Sequence, residues 1–143
     1  MRAPAAIAFL VVVLAGCGGG LSRNELVAKG DAICKRVNAQ IAKEPTPKDA
    51  AGLKRLADKT VAISDPAIKD MEALQAPDEL KQDFAKFVAS LKQQRDLTRQ
   101  IGTAAGQGDT AKIQQIGTSA QKVQAEYRRL SDKIGFKRCG GGN

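Results

Sequence analysis

The most regular pattern in the sequence is found in IQQIGTSAQKVQAEYRRLSDKI, residues 113–134. Its apolar side chains recur in alternating steps of three and four residues, at Ile113, Ile116, Ala120, Val123, Tyr127, Leu130 and Ile134. This spacing places one apolar stripe along a single face of an α-helix. We therefore predict a helix whose stripe forms the seam of a helical bundle, with these side chains in the core.

Two helices are predicted in the part of the chain that follows residue 21. Residues 22–25, Ser-Arg-Asn-Glu, have the form of a capping box and predict the start of the first helix, which Pro45 ends. The second helix is expected to begin with Thr46 as its N-cap. Pro66 interrupts the apolar spacing, so we expect a kinked or restarted helix that continues to about Gln75.

A further helix is predicted in the middle of the chain. It begins in the sequence APDE, residues 76–79, and Gly106 marks its end, after which Asp109 caps the helix that carries the stripe. Only 3% of the residues are aromatic, which disfavours a β-sandwich, and the connections between the predicted helices are short. The sequence therefore predicts an all-α domain, an up-and-down bundle of three to four antiparallel helices over residues 22–139.

Residues 1–16 have the organisation of a secretory signal peptide. The positively charged Arg2 precedes an apolar run over residues 3–15, and Gly16 follows it. A membrane-spanning helix needs about 20 apolar residues, so this run is too short for a permanent transmembrane anchor. We therefore expect that the chain is exported and that residues 1–16 are removed.

The tetrapeptide Leu14-Ala15-Gly16-Cys17 resembles the lipobox at which bacterial lipoproteins are processed. The match consists of a branched apolar residue, two small residues and a cysteine, in that order. The resemblance implies cleavage before Cys17 and a diacylglyceryl thioether on its sulfur, with or without acylation of the new amine. Two or three acyl chains give stable membrane anchoring, where one gives only marginal binding. The alternative is a secreted protein in which Cys17 is a free thiol.

The expected lipid anchor implies a location outside the cytoplasm, on the cell membrane or elsewhere in the cell envelope. Residues 17–21 form a short glycine-containing tether, which places the folded domain close to the membrane surface. Residue 18 is glycine, so by resemblance the chain lacks the common inner-membrane retention signal, and the choice between inner and outer membrane stays open. Residues 140–143 are expected to form a disordered tail.

Cys34 and Cys139 remain once Cys17 carries lipid, and they are an even number in a compartment that permits disulfides. Cys34 lies in the first predicted helix, and Gly135 breaks the last one, so that the tail can fold back and reach it. A bond between them would close a loop of roughly 100 residues, which the chain-entropy model values at about 4.7 kcal/mol. We predict a Cys34–Cys139 disulfide, with two unpaired thiols as the alternative.

The residue types disfavour an enzyme. The chain has no histidine, the commonest general base. Carboxylate pairs such as Asp78 and Glu79 lie at a predicted helix start, where the helix dipole explains them. Two cysteines without other soft ligands cannot form a zinc or iron–sulfur site, and the glycines do not form a phosphate-binding loop. We therefore expect no catalytic residues, no cofactor and no metal site.

The formal charge of +8 comes from 23 Lys and Arg against 15 Asp and Glu that are interspersed with them, which indicates a solvated surface. One basic cluster stands near the C-terminus, offset by Glu126 and Asp132, and comprises Arg128, Arg129, Lys133, Lys137 and Arg138. It could contact anionic lipid headgroups, but we favour solvated charge at a helix C-terminus. Nucleic acid is not an expected partner of an exported chain that lacks aromatic residues for base stacking.

The arrangement as a whole resembles small helical lipoproteins of the bacterial cell envelope, a resemblance that implies an envelope role and no activity. The leading hypothesis is a non-enzymatic module that binds an envelope protein or an anionic polymer through a helical face. The alternative is a carrier or sensor that holds a small apolar ligand between its helices. An interior cavity lined by Ala and Gly rather than Leu would favour that alternative, and the oligomeric state is left open.

Overall fold

The computed structural model describes residues 20–140. The predicted signal peptide, Cys17 and most of the tether therefore lie outside the described residues, as do residues 141–143 of the predicted tail. Residues 20–140 contain four α-helices and no strand: α1, Arg23–Ile41; α2, Ala50–Glu72; α3, Lys81–Gly106; and α4, Thr110–Ile134. A short 3-10 turn, Asp78–Leu80, leads directly into α3.

The four helices form an up-and-down bundle, which confirms the predicted fold class. The start of α1 meets the end of α2, where the Leu21 backbone N–H donates to the Gln75 carbonyl at 2.8 Å. Lys133, near the end of α4, pairs with Asp83, near the start of α3, at 2.8 Å. Each helix is therefore antiparallel to its neighbour in sequence.

The predicted capping box at the start of α1 is confirmed. The Glu25 backbone N–H donates to Ser22 Oγ at 3.3 Å, and the Ser22 backbone N–H donates to Glu25 Oε2 at 2.8 Å. These bonds satisfy two donors that a helix start otherwise leaves without partners. They also lower the pKa of the Glu25 carboxyl, chiefly through its hydrogen bond with the Ser22 side chain.

The predicted N-cap of the second helix is wrong. The cap is Asp49 rather than Thr46: its Oδ1 accepts the Gly52 backbone N–H at 2.6 Å. Aspartate is the stronger cap of the two, and its charge also interacts favourably with the helix dipole. The connection between α1 and α2 therefore runs over residues 42–49, longer than predicted, and Pro47 packs on Gly52, where a Cβ would come within 3.3 Å of Pro47 Cα.

The predicted restart at Pro66 is wrong, because α2 is continuous through Pro66; it ends at Glu72, three residues before the expected end near Gln75. A proline inside a helix leaves the carbonyl four residues earlier without its partner. Pro66 and Ala62 both lie on the exposed face of α2. Water can therefore satisfy the Ala62 carbonyl, and packing on the opposite face holds the helix together.

The chain after α4 turns back along α1, as predicted. Gly135 ends α4 in the left-handed conformation, with φ 106°, which a glycine adopts without strain. Phe136 then enters the core, and Cys139 forms a disulfide with Cys34, with their Cα atoms 5.1 Å apart. Asp31 holds the returning segment by accepting the Lys137 and Arg138 backbone N–H groups at 2.9 and 2.8 Å.

The bundle has two ends, because α1 stops beside the middle of α2. The four-helix end consists of α1 with the returning segment 135–140 and of residues 64–72, 81–95 and 121–134 of the other helices. The three-helix end consists of residues 50–61, 96–106 and 110–120. The largest fully buried apolar side chains all lie in the four-helix end: Phe87, Leu26, Met71, Leu130 and Ile134.

The stripe of α4 is buried unevenly. Ile116, Tyr127, Leu130 and Ile134 are in the core as predicted, whereas Ile113, Ala120 and Val123 are only partly buried. The less buried positions lie in the three-helix end or next to it, where α1 does not cover α4. The prediction that the whole stripe is core is therefore correct mainly for the four-helix end.

Candidate functional site

A cavity of about 170 Å³ lies between the helices, at the level of the second half of α1. All four helices contribute to its walls. The apolar part of the lining is formed by Ile33, Cys34, Val37, Ile41, Ala67, Ile68, Met71, Leu91 and Tyr127. The cavity therefore stands where the bundle changes from four helices to three, next to the Cys34–Cys139 disulfide.

Polar groups line another part of the same cavity. Several of them already have partners: Thr98 Oγ1 donates to the Gln94 carbonyl at 2.9 Å, and Asn38 Nδ2 donates to the Arg138 carbonyl at 3.0 Å. Gln94 differs from them. Its Nε2 is buried and, within residues 20–140, has no hydrogen-bond partner, a condition shared in that segment only by Ser131 Oγ. A buried amide donor without a partner is uncommon in a folded protein.

Arg95 also lines the cavity, and its charge is balanced. Its guanidinium pairs with Asp65 of α2 and with Asp96, to which Nε donates at 2.7 Å. The hydrogen bond that Arg95 donates to the Asp65 carboxylate is the main reason that the pKa of Arg95 is raised. Arg99 adds a second cation to the same two carboxylates, with Nη1 3.2 Å from Asp96 Oδ1. Two cations and two anions thus form a neutral network at the side of the cavity.

Tyr127 of α4 contributes the aromatic part of the lining. Its ring stacks on Phe87 with centroids 5.1 Å apart, and Phe87 in turn contacts Phe136 at 5.0 Å. Burial, reinforced by the negative charge of Asp31, raises the pKa of the phenol far above its usual value of 10.0. Tyr127 is therefore a neutral, fixed side chain at physiological pH.

The residues singled out from the sequence fall into three groups. Cys17 lies outside the described residues, and Cys34 and Cys139 are joined. The members of the basic cluster are not a uniform patch: Arg129 pairs with Glu126 at 2.6 Å, and Lys133 pairs with Asp83. These pairs lower the pKa of Glu126 and of Asp83, in each case chiefly through the side-chain hydrogen bond to the basic partner.

The cavity residues were missed because they come from four separate helices. One signal was present in α3, where the apolar stripe has no apolar member between Leu91 and Thr98, because Leu97 does not fall on the spacing of the stripe. Gln94 and Arg95 occupy the core-facing positions of that gap. A polar pair at core-facing positions of a bundle helix breaks the apolar pattern and indicates a place where the core is not filled by apolar side chains.

Residues 20–140 contain neither a metal-binding cluster nor a membrane-spanning helix. Within residues 20–140, no group of three or more His, Cys, Asp or Glu side chains is arranged to hold a metal ion. No helix in that segment is both long and apolar enough to cross a membrane.

Comparison with known protein families, with curated proteins and with solved structures found no match to this chain. The function is therefore inferred from its own residues.

Proposed function

We propose that this chain is a non-enzymatic binding module of the bacterial cell envelope, anchored to a membrane by lipid on Cys17. The observation that supports it best is the Cys34–Cys139 disulfide downstream of a lipobox-like tetrapeptide. Disulfides persist in oxidising compartments outside the cytoplasm, which is where a lipidated cysteine after a signal peptide would place the domain. Two independent features thus support the same compartment.

The described fold also suggests which end of the bundle faces the lipid. Leu21 is bonded to Gln75, and Arg23 Nη2 donates to the Lys133 carbonyl at 2.7 Å, so the beginning of the domain is fixed to the ends of α2 and α4. Residues 17–20 can span at most about 14 Å when extended. The four-helix end is therefore expected next to the membrane and the three-helix end farther from it.

Metabolic labelling with radioactive palmitate tests the anchor. The wild-type chain is expected to incorporate label and to enter the detergent phase on phase partitioning. Cys17→Ala is expected to abolish both, whereas Gly18→Ala, a neighbouring change outside the tetrapeptide, is expected to retain them. An unlabelled wild-type chain, or a labelled Cys17→Ala chain, would contradict the proposal.

The proposed partner of such a module is an envelope protein or polymer that contacts a helical face. Much of the described surface carries balanced charge, as in the groove beside the connection 42–49, where Lys48, Arg55 and Lys59 stand with Glu44, Asp49 and Asp58. Such a surface does not by itself select a polyanion. Cross-linking of the lipidated protein in intact cells, followed by mass spectrometry, identifies the partner, and Cys17→Ala provides the mislocalised control.

The presence of a cavity is the observation behind a second candidate function, a carrier or sensor of a small ligand, but its lining does not have the Ala- and Gly-rich composition expected for that function. Its lining includes Ala67 and no glycine, and otherwise consists of larger apolar side chains, such as Ile33, Ile68 and Met71, together with polar ones. The room therefore comes from the spacing of the helices where α1 ends, and not from a set of small residues. A reproducible small molecule that co-purifies with the wild-type chain would support this function over the first.

A further inference from the structure

We propose that a groove between the end of α2 and the first half of α3 is the face of the domain that rests on the lipid bilayer, with its apolar floor against the membrane interface. This inference rests on the proposed lipid anchor on Cys17 and adds the orientation of the domain to it. It combines three observations: the point at which the described structure begins, the apolar floor of the groove, and the polar surface on the opposite side of α3.

The described structure begins at the edge of this groove. The Leu21 backbone N–H donates to the Gln75 carbonyl at 2.8 Å, and a Cβ on Gly20 would lie 3.1 Å from the Ala76 carbonyl oxygen. Gln75 and Ala76 both line the groove. Cys17 precedes Gly20 by three residues, so the Cα atoms of these two residues can be at most about 11 Å apart. Lipid on Cys17 would therefore hold the bilayer surface within reach of the groove.

The floor of the groove is apolar. The groove has a volume of about 550 Å³, and its apolar lining consists of Leu74, Ala76, Phe84, Ala85, Val88 and Ala89. Ala85 and Ala89 are exposed and lie one turn apart on α3, so their short side chains leave the groove open. Apolar side chains are stabilised when they leave water, and the membrane interface accepts them. The groove therefore offers the bilayer a shallow apolar surface.

Two lysines of α3, Lys81 and Lys92, also line the groove. Lys81 pairs with Asp78 at 2.6 Å, and Lys92 pairs with Glu72, but both ion pairs are exposed to solvent. Exposed pairs hold their partners only weakly, so each lysine can extend its amine to a lipid phosphate while its stem covers apolar surface. Because the two carboxylates remain close by, the groove has no excess charge from these pairs. The lipid anchor, and not an anionic membrane, is therefore expected to hold the groove in place.

The opposite side of α3 is covered by α4, whose exposed surface is polar. Asp83 pairs with Lys133 of α4 at 2.8 Å, and Asp83 and Ala85 point in nearly opposite directions because two residues of a helix are about 200° apart. The groove and α4 therefore lie on opposite sides of α3. Among residues 121–134, every exposed side chain of α4 is polar or charged except Ala125. The groove is thus the more apolar of the two sides.

The test places one tryptophan on each side, because the chain has none of its own. Ala85→Trp lies in the groove, Ala125→Trp is a matched change at an exposed position of α4 in the same end of the bundle, and Ala111→Trp lies in the three-helix end. Each full mature chain is extracted from membranes and reconstituted in phosphatidylcholine vesicles. Tryptophan fluorescence is compared between vesicles with ordinary acyl chains and vesicles whose acyl chains carry bromine, a short-range quencher, near the headgroup.

The expected result is a loss of fluorescence of about twofold or more for Ala85→Trp in the brominated vesicles, because a side chain at the interface lies about 5–10 Å deep, at the boundary between headgroups and acyl chains. Ala125→Trp and Ala111→Trp are expected to keep their fluorescence. Ala89→Trp, one turn farther along the groove, is expected to be quenched as well, which guards against a local effect of the first substitution. Circular dichroism confirms that each variant is folded, and its intact mass confirms the lipid.

The contradicting outcomes are distinct. If a lipidated Ala125→Trp chain is quenched as strongly as the Ala85→Trp chain, the bilayer does not select the groove, and the orientation is overturned while the anchor stands. If no lipidated variant is quenched, the domain stands away from the bilayer, and the orientation is again overturned. If the mature chains carry no lipid, the anchor is overturned and this inference with it.

Discussion

The two ends of the bundle are built in different ways. In the four-helix end, large side chains fill the space, as in the aromatic cluster of Tyr127, Phe87 and Phe136, and a disulfide joins α1 to the returning segment. In the three-helix end, α2 and α3 approach closely through small residues: a Cβ on Gly102 would come within 3.0 Å of Ala57 Cβ. The comparison shows that the large buried side chains and the disulfide are concentrated in the four-helix end, and that the cavity lies between that packing and the small-residue packing of the three-helix end.

The largest expected effect concerns the disulfide, which belongs to the four-helix end. Its cysteines are 105 residues apart in the sequence. Joint replacement Cys34→Ala and Cys139→Ala is expected to lower the free energy of unfolding by about 3–5 kcal/mol, because the unfolded chain loses its constraint. Urea unfolding followed by circular dichroism measures the change, and reduction of the wild-type chain should reproduce it. An unchanged midpoint would show that the bond contributes little to this end.

The difference in packing between the two ends of the bundle can be measured by replacing isoleucine with alanine at each end of α4. Ile134 is fully buried in the four-helix end, and Ile113 is only partly buried in the three-helix end. Ile134→Ala is expected to lower the free energy of unfolding by about 3–4 kcal/mol, and Ile113→Ala by about 1 kcal/mol. Equal losses in the same urea titration would mean that the two ends are packed alike.

Two glycines give a matched pair of smaller effects with opposite sign. A Cβ on Gly30 would overlap the buried ring of Phe136, with Cζ only 2.7 Å away, whereas Gly117 has nothing within 4 Å. Gly30→Ala is expected to destabilise the fold by about 1–3 kcal/mol. Gly117→Ala is expected to stabilise it by about 0.5–1 kcal/mol, since alanine favours the helix. Thermal unfolding of both variants checks the signs, and a stabilising Gly30→Ala would contradict the placement of Phe136.

The smallest effect at neutral pH comes from Tyr127. Because burial raises the pKa of its phenol in the folded state above the usual 10.0, the folded chain keeps that proton at pH values where the unfolded chain loses it. The contribution to stability is therefore constant below about pH 10 and decreases as the pH rises further. Absorbance of tyrosinate should show no ionisation near pH 10 until the protein unfolds. Ionisation of the phenol near pH 10 in the folded protein would show that Tyr127 is exposed to water and would contradict the packing described for the four-helix end.

Local features of the fold were predictable from the sequence. The alternating spacing in residues 113–134, the capping box at Ser22 and the break at Gly135 are each determined by a few neighbouring residues. The disulfide was predictable because compartment, cysteine number and chain direction all favoured one pairing. These are properties that do not depend on how the helices are arranged around one another.

Other features depend on competition between two possible capping residues or on contacts between residues that are distant in the sequence. Thr46 and Asp49 are both plausible caps, and the contact of Pro47 with Gly52 accompanies the choice of Asp49. The continuity of α2 through Pro66 depends on which face of the helix is exposed, and the uneven burial of the α4 stripe depends on where α1 ends. The cavity is formed by residues from all four helices, so no single segment of the sequence predicts it. The only indication in the sequence is the polar pair Gln94 and Arg95 within the apolar stripe of α3.

The intact mass of the mature chain, extracted from membranes under non-reducing conditions, reports on the lipid anchor and the disulfide together. We expect a polypeptide that begins at Cys17, carries the mass of a diacylglyceryl group with or without a further acyl chain, and is two hydrogens lighter than the fully reduced form. A chain that begins elsewhere, or that has an unmodified Cys17, would contradict the proposed lipid-anchored module.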